Sequence, residues 1–133
     1  MQDSNASLDP RRLFDLEGKI VVLTGATGIL GTLYSSSLAA AGATVVIADI
    51  DESKCNELAE RIAQSSGRQA SGLAVDLTDE DSVKNWTSRI INNFGKVDVL
   101  INNAAAKSPH FFASTEEFPL LDWNQVMSVN VTG

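Results

Sequence analysis

Short runs of branched apolar residues recur along the chain, and each is followed by a stretch with helical spacing. Residues 19–24 (KIVVLT) are continuously apolar, as expected of a strand covered on both faces of a parallel sheet. A glycine-rich turn fills residues 25–31. Residues 29–41 then carry Leu30, Leu33 and Leu38 among alanines, which predicts a helix that Gly42 stops. Residues 43–48 (ATVVIA) form a second buried run closed by Asp49. Either Asp51 or Ser53 can cap the next helix, which places Leu58 and Ile62 on one face and runs to about Ser66.

The rhythm repeats in the second half. Residues 69–75 predict a third strand ending at Asp76. Thr78 is expected to cap a helix over 79–93 whose stripe is Val83, Trp86 and Ile90. Residues 97–101 (VDVLI) predict a long apolar fourth strand ending at Asn102 and Asn103. A loop over 104–119 leads to a helix over 120–133, with Trp123, Val126 and Met127 at helical intervals. Residues 1–18 are expected to be a mobile polar tail and a docking segment, with Leu13, Phe14 and Leu16 as its apolar handles.

Strands alternating with helices predict an α/β fold in which right-handed crossovers order the strands 3-2-1-4, with helices on both faces. This is the doubly wound, Rossmann-type arrangement of a dinucleotide-binding half. Composition narrows the partners. With 17 acidic against 10 basic residues the formal net charge is −7, which disfavours a general nucleic-acid or anionic-membrane binder. The single Cys55 excludes an internal disulfide, and no Cys/His spacing suggests a metal. Neither a signal-peptide core nor an 18-residue apolar run is visible, so a cytoplasmic location is expected.

The turn Thr24-Gly25-Ala26-Thr27-Gly28-Ile29-Leu30-Gly31 carries the chemistry. Gly25 permits the sharp exit from the strand, Gly28 lets backbone approach a pyrophosphate, and Gly31 lets the helix pack close. Free N–H groups at the helix start and its positive dipole end favour an anion there. The Gly-Lys-Ser/Thr ending of a nucleoside-triphosphate loop is absent. Asp49, at the end of the second strand, can accept ribose hydroxyls and would repel a 2′-phosphate, with Ile50 and Thr27 beside it rather than Arg or Lys. NAD is therefore expected in preference to NADP.

These residues resemble the short-chain dehydrogenase/reductase family. The Thr24–Gly31 turn matches its first signature. Asp76-Leu77-Thr78-Asp79 resembles the segment facing the adenine. Asn102-Asn103-Ala104-Ala105 resembles the family's Asn-Asn-Ala-Gly block, with Ala105 in place of the glycine. The segment 123–131 (WNQVMSVNV) is similar to the helix bearing the family's catalytic asparagine, here Asn130. The resemblance implies cofactor contacts from Gly25, Thr27, Gly28, Ile29, Leu30, Gly31, Asp49, Asp76, Leu77, Asn102, Asn103 and Ala104. Ile29 stands where the commonest branch has glycine, and the resulting G-x-x-G-x-x-G resembles the extended branch of nucleotide-sugar epimerases and dehydratases. The textures of residues 23–31 and 46–51 are also similar to oxidoreductases of flagellin-modification and nonulosonic-acid sugar pathways.

In the family a serine and a Tyr-x-x-x-Lys pair complete the catalytic set. The one tyrosine here, Tyr34, lies in the first helix with Leu38 four places on and does not fit. The resemblance thus implies the cofactor half of a hydride-transferring enzyme acting on an alcohol or ketone, possibly a sugar derivative, and inactive alone. It also implies a homo-oligomer through the helix from Leu120. The alternatives are an extended-type epimerase or dehydratase and a non-catalytic dinucleotide-binding module. His110 and Phe111, Phe112 and Phe118 fall in the loop that borders the family's substrate pocket. A solvated histidine and loop-pinning phenylalanines are the plainer expectation.

Overall fold

The computed structural model describes residues 13–133; of the tail and docking segment expected over residues 1–18, residues 1–12 lie outside the described residues. Four parallel strands make one sheet: β1 (Ile20–Thr24), β2 (Thr44–Asp49), β3 (Ala70–Ala74) and β4 (Val99–Ile101), in the order β3-β2-β1-β4. Between them run α1 (Ile29–Ala40), α2 (Glu52–Ser66) and α3 (Glu80–Phe94). After β4 come a long loop, α4 (Leu120–Met127) and a π-helical turn, Ser128–Thr132. The expected order and its helices on both faces are found. Pairing in register sets Val21 between Val45 and Val99, and Leu23 between Ile47 and Ile101.

The alternation of side chains along a strand divides the core into two layers. Val21, Leu23, Val45 and Ile47 face α1 and α2, where they meet Ala39, Cys55, Leu58 and Ile62. Ile20, Val22, Val46 and Ala48 face α3, where they meet Trp86 and Ile90. Of the α3 stripe, Val83 is partly buried against the second layer. The fit of α2 to β3 depends on Gly72, where a Cβ would stand 2.6 Å from the Asn56 backbone nitrogen. Cys55 is sealed at that seam, and burial pushes its thiol up to about 11, so it is protonated at neutral pH.

Several expectations need correcting. α1 packs only Leu38 of its leucine stripe, partly, on the first core layer: Leu30 and Leu33 are exposed, and the small residues Gly31, Ser35 and Ala39 face the sheet. Small side chains let this central helix lie close to β1, and bulkier ones are displaced outward. The cap of α3 is Asp79, not Thr78. The Asp79 carboxylate accepts the Asp81 and Ser82 N–H groups, whereas Thr78 turns both its N–H and its hydroxyl onto Asp76. α2 is capped by Asp51 rather than Ser53.

β4 is also shorter than the apolar run suggests, and the edge it presents is three residues rather than long. Asp98 accepts the Ile20 N–H through its side chain at 2.8 Å, where a strand would offer a backbone carbonyl, so β4 starts at Val99. Lys96 sits on the same carboxylate and, with that N–H, holds Asp98 below the ordinary aspartate range. The last helix is α-helical only to Met127. Of the docking handles, Leu16 packs on the first core layer and gives its N–H to Ala41, whereas Leu13 and Phe14 are exposed. No helix among the described residues is long and apolar enough to cross a membrane.

Candidate functional site

Because all four strands run the same way, the Gly25 turn, Asp49, Asp76 and Asn102 stand at one edge of the sheet. The chain reverses its winding between β1 and β4, which opens a crevice there between the two connections. Local chemistry builds each wall.

The β1–α1 turn is held by its glycines. Gly25 has φ +62, and a Cβ on it would lie 2.7 Å from the Cα of Ala104. Gly31 has no room either: its Cβ would lie 2.6 Å from the Cα of Ala26. Both are demanded by the protein's own packing. Gly28 differs. Its φ of −73 is ordinary, and an added Cβ would meet only the Gly25 carbonyl at 3.4 Å. No internal contact requires glycine at position 28, so its bare backbone faces open space. α1 starts there with no side-chain cap and no acidic residue in its first turn, and Ile29 is 88% exposed.

Asp49 is tied to this turn. Its Oδ2 accepts the Thr27 N–H at 3.0 Å and the Thr27 hydroxyl at 2.7 Å, and its Oδ1 accepts the Ile50 N–H at 2.8 Å. The carboxylate fixes the turn and remains part-exposed at the crevice edge. Beside Thr27 is a cleft of about 200 Å³ lined also by Thr32, Lys54, Glu57, Leu58 and Arg61. Helix α2 thus brings two cations nearer than adjacency in sequence suggests, with Lys54 paired to Asp51 at 3.3 Å. Asp76 accepts the Thr78 hydroxyl and N–H, which hold its carboxyl below the ordinary range. Leu77 packs partly against the second core layer.

The opposite wall is latched to the first. Asn103 donates its side-chain amide to the carbonyls of Thr24 and Gly25, at 3.0 and 3.1 Å. The buried Thr24 hydroxyl accepts the N–H groups of Asn103 and Ala104. Sequence reasoning gave Thr24 no such part; a hydroxyl ending an otherwise apolar strand is its one signal. Asn102 and Ala105 are exposed, and no residue among those described except glycine has positive φ. The methyl of Ala105 is therefore tolerated by the backbone.

Asn130 stands on the π-helical turn. Its Oδ1 accepts the Ala106 N–H at 2.7 Å and its Nδ2 donates to the Ala106 carbonyl at 3.2 Å. Both ends of its amide are spent on the backbone of one residue, Ala106, so it orders the loop after β4. Further along, the buried Asp122 accepts hydrogen bonds from the Ser108 hydroxyl, the His110 N–H and His110 Nδ1. These contacts hold the Asp122 carboxyl below the ordinary range. Sequence reasoning did not single out Ser108 or Asp122. Phe111 and Phe112 meet edge to face but pin nothing, Phe112 being 97% exposed; Phe118 lines a shallow apolar cavity with Leu120 and Trp123.

This arrangement agrees with what comparison with known proteins finds. A family model described as short chain dehydrogenase matches residues 19–133. The chain belongs to the short-chain dehydrogenase family. It is 35% identical over 118 residues to a 3-oxoacyl-(acyl-carrier-protein) reductase of Aquifex aeolicus, covering 89% of this chain and 46% of that protein. It is 30% identical over 120 residues to the D-threitol dehydrogenase of Mycolicibacterium smegmatis, covering 90% of this chain and 45% of that protein. Among solved structures, NAD+-bound xylitol dehydrogenase superposes with a TM-score of 0.82 at 28% identity, over 88% of this chain and 44% of that one. The chain therefore spans about half the length of the curated relatives it matches.

Relatives with a bound cofactor include both an NAD+ complex and an NADP complex. Short-chain dehydrogenases are NAD(P)-linked oxidoreductases, and the walls just described fit a dinucleotide. The fit is carried by the chain's own geometry: an uncapped helix start, a glycine that no internal contact requires, and a carboxylate at the end of β2.

Proposed function

We propose that residues 19–133 are the NAD-binding portion of an oxidoreductase that moves a hydride between nicotinamide and an alcohol or ketone. The single observation that carries the reading is Gly28. It lacks any internal reason to be glycine and stands at the open start of α1, where a pyrophosphate needs backbone without side chain. Gly25, Thr27, Ile29, Leu30 and Gly31 shape that cradle. Asp49 takes the ribose hydroxyls, and its charge favours NAD over NADP. Lys54 and Arg61 do not reverse this preference, because Asp51 and Glu57 stand beside them.

Asp76 and Leu77 border the adenine, and Asn102, Asn103 and Ala104 border the nicotinamide ribose. Asn130 serves the reaction by ordering the backbone at Ala106. The bound nicotinamide supplies the hydride chemistry; these residues bind and orient it. Tyr34 lies on α1, away from the crevice wall formed after β4, so the general acid is not among these residues. Cofactor binding without turnover is the activity expected of the chain by itself. Relatives named for D-threitol, xylitol and 5-keto-D-gluconate agree with a sugar derivative as substrate, and those named for a 3-oxoacyl carrier protein and a 7alpha-hydroxysteroid agree with the wider alcohol and ketone class. Titration with NADH and NADPH, followed by nicotinamide fluorescence, tests the reading. NADH is expected to bind at least tenfold more tightly, and tighter binding of NADPH would overturn the preference.

A further inference from the structure

Strands β3 and β4 stand at opposite edges of the sheet, with β2 and β1 between them. Three interstrand spacings, about 14 Å, therefore separate the points from which their loops leave. The two loops are nevertheless joined by a third segment, the π-helical turn Ser128–Thr132 and the glycine after it. On one side Asn130 holds Ala106, in the loop after β4, by both its N–H and its carbonyl. On the other side Gly133 lies against Leu77, in the loop after β3. A Cβ on Gly133 would stand 2.9 Å from the Leu77 carbonyl oxygen and 3.0 Å from the Leu77 Cβ.

Gly133 is required by this contact and not by its own backbone conformation. Gly67 and Gly95, which follow α2 and α3, have φ of +68 and +75 and nothing within 4 Å of an added Cβ, so they answer to conformation alone. Gly133 is outside the left-handed region, and a side chain there would strike the backbone of another segment. The Leu77 peptide is in turn held from both sides. Asp76 accepts the N–H and hydroxyl of Thr78, the Asp76 N–H is given to the Ser82 hydroxyl, and the Leu77 side chain packs on the second core layer. Only Val131 and Thr132 separate Asn130 from Gly133, so a shift at one end of the turn is felt at the other.

We propose that Gly133 is a positioning residue that couples the two walls of the crevice: its bare backbone seats the turn on Leu77, and the seated turn holds the Asn130 amide on Ala106. A ligand that pins residues 76–78 then also orders the loop after β4. The proposal rests on the dinucleotide reading above, in which the adenine half meets Asp76 and Leu77, and adds communication from that half to the nicotinamide side. The coupling comes from ordering: once the first wall is fixed, less freedom remains to be lost at the second.

The test uses the full-length protein that carries these residues, with AMP as a probe of the adenine wall alone. Exchange of the Ala106 N–H, which is bonded to Asn130 Oδ1, is followed by NMR. Saturating AMP is expected to slow that exchange about tenfold in the wild type. In G133A the methyl lifts the turn from Leu77. AMP affinity should then stay within about twofold, the slowing should vanish, and NADH affinity should fall about tenfold. N130A leaves the Leu77 contact intact and should abolish the slowing too. The double variant should bind NADH no more weakly than N130A, because the two residues act along one route.

Bound AMP without slowing in the wild type overturns the proposal, and so does slowing that survives in either variant. Equal losses of AMP and NADH affinity in G133A, or losses that add in the double variant, mark a merely structural glycine and overturn it as well. Binding of NADH without any binding of AMP has the same result, since the adenine wall then takes no ligand by itself. All of these leave the dinucleotide reading standing. Absence of binding by both AMP and NADH overturns that reading and the proposal with it.

Discussion

Three helices of this fold leave the carboxyl ends of strands, and two begin differently from the third. α2 and α3 are closed by Asp51 and Asp79, whose carboxylates accept first-turn N–H groups, and each has acidic residues in that turn. α1 begins at Gly28 with no side-chain cap and no acid. A cap contributes about 1 kcal/mol, so α1 forgoes a stabilisation that its neighbours keep. The difference teaches where the molecule leaves donors free for an external anion and where it satisfies them itself. Substitutions at the three starts can break or sharpen that contrast.

The largest effect is expected at Gly31. An alanine there drives a methyl into the Ala26 backbone, and G31A should lose about 3 kcal/mol in urea unfolding, together with all NADH binding. Second is D49A. It removes the acceptor for the Thr27 N–H and hydroxyl and the proposed ribose partner, so NADH affinity should fall more than tenfold while NADPH affinity falls less.

Third is G28D, which sharpens the contrast by giving α1 the cap that its neighbours have. The helix should gain up to about 1 kcal/mol while NADH binding is lost. A variant that is stabler and still binds NADH would refute the open-start argument. Smallest is D79A. It opens α3 and should cost about 1 kcal/mol by urea unfolding with NADH affinity unchanged, because the Asp79 carboxylate is spent on the helix's own N–H groups.

Much of this was legible in the sequence. Buried strands announced themselves as continuous branched runs, and the crossover rule then left one strand order. The glycine turn was readable because Gly25 and Gly31 are demanded by local packing, and Gly28 by the approach of an anion to bare backbone. What escaped was of two kinds. Cap identity shifted by one residue at Asp79 because Thr78 and Asp79 are both good caps, and only the pull of Asp76 on Thr78 decides between them. The tethers Thr24–Asn103, Asn130–Ala106 and Asp122–His110 join residues with no periodic relation, so no spacing rule could find them. The outward leucines of α1 were hidden for a third reason. Helical spacing reports that a stripe exists, but the closeness of the sheet decides whether large or small residues fill it.

Gly72 has a consequence of its own. By letting α2 lie directly on β3 it helps to cover Cys55, which is fully buried and protonated at neutral pH. A thiol reagent can reach that sulfur only after the packing around it opens, as when helix and strand part. The rate of labelling in native buffer therefore becomes a clock for that parting, built into the chain without any engineered probe. Because β2 and β3 carry the loops of Asp49 and Asp76, a bound dinucleotide that bridges them should slow the clock.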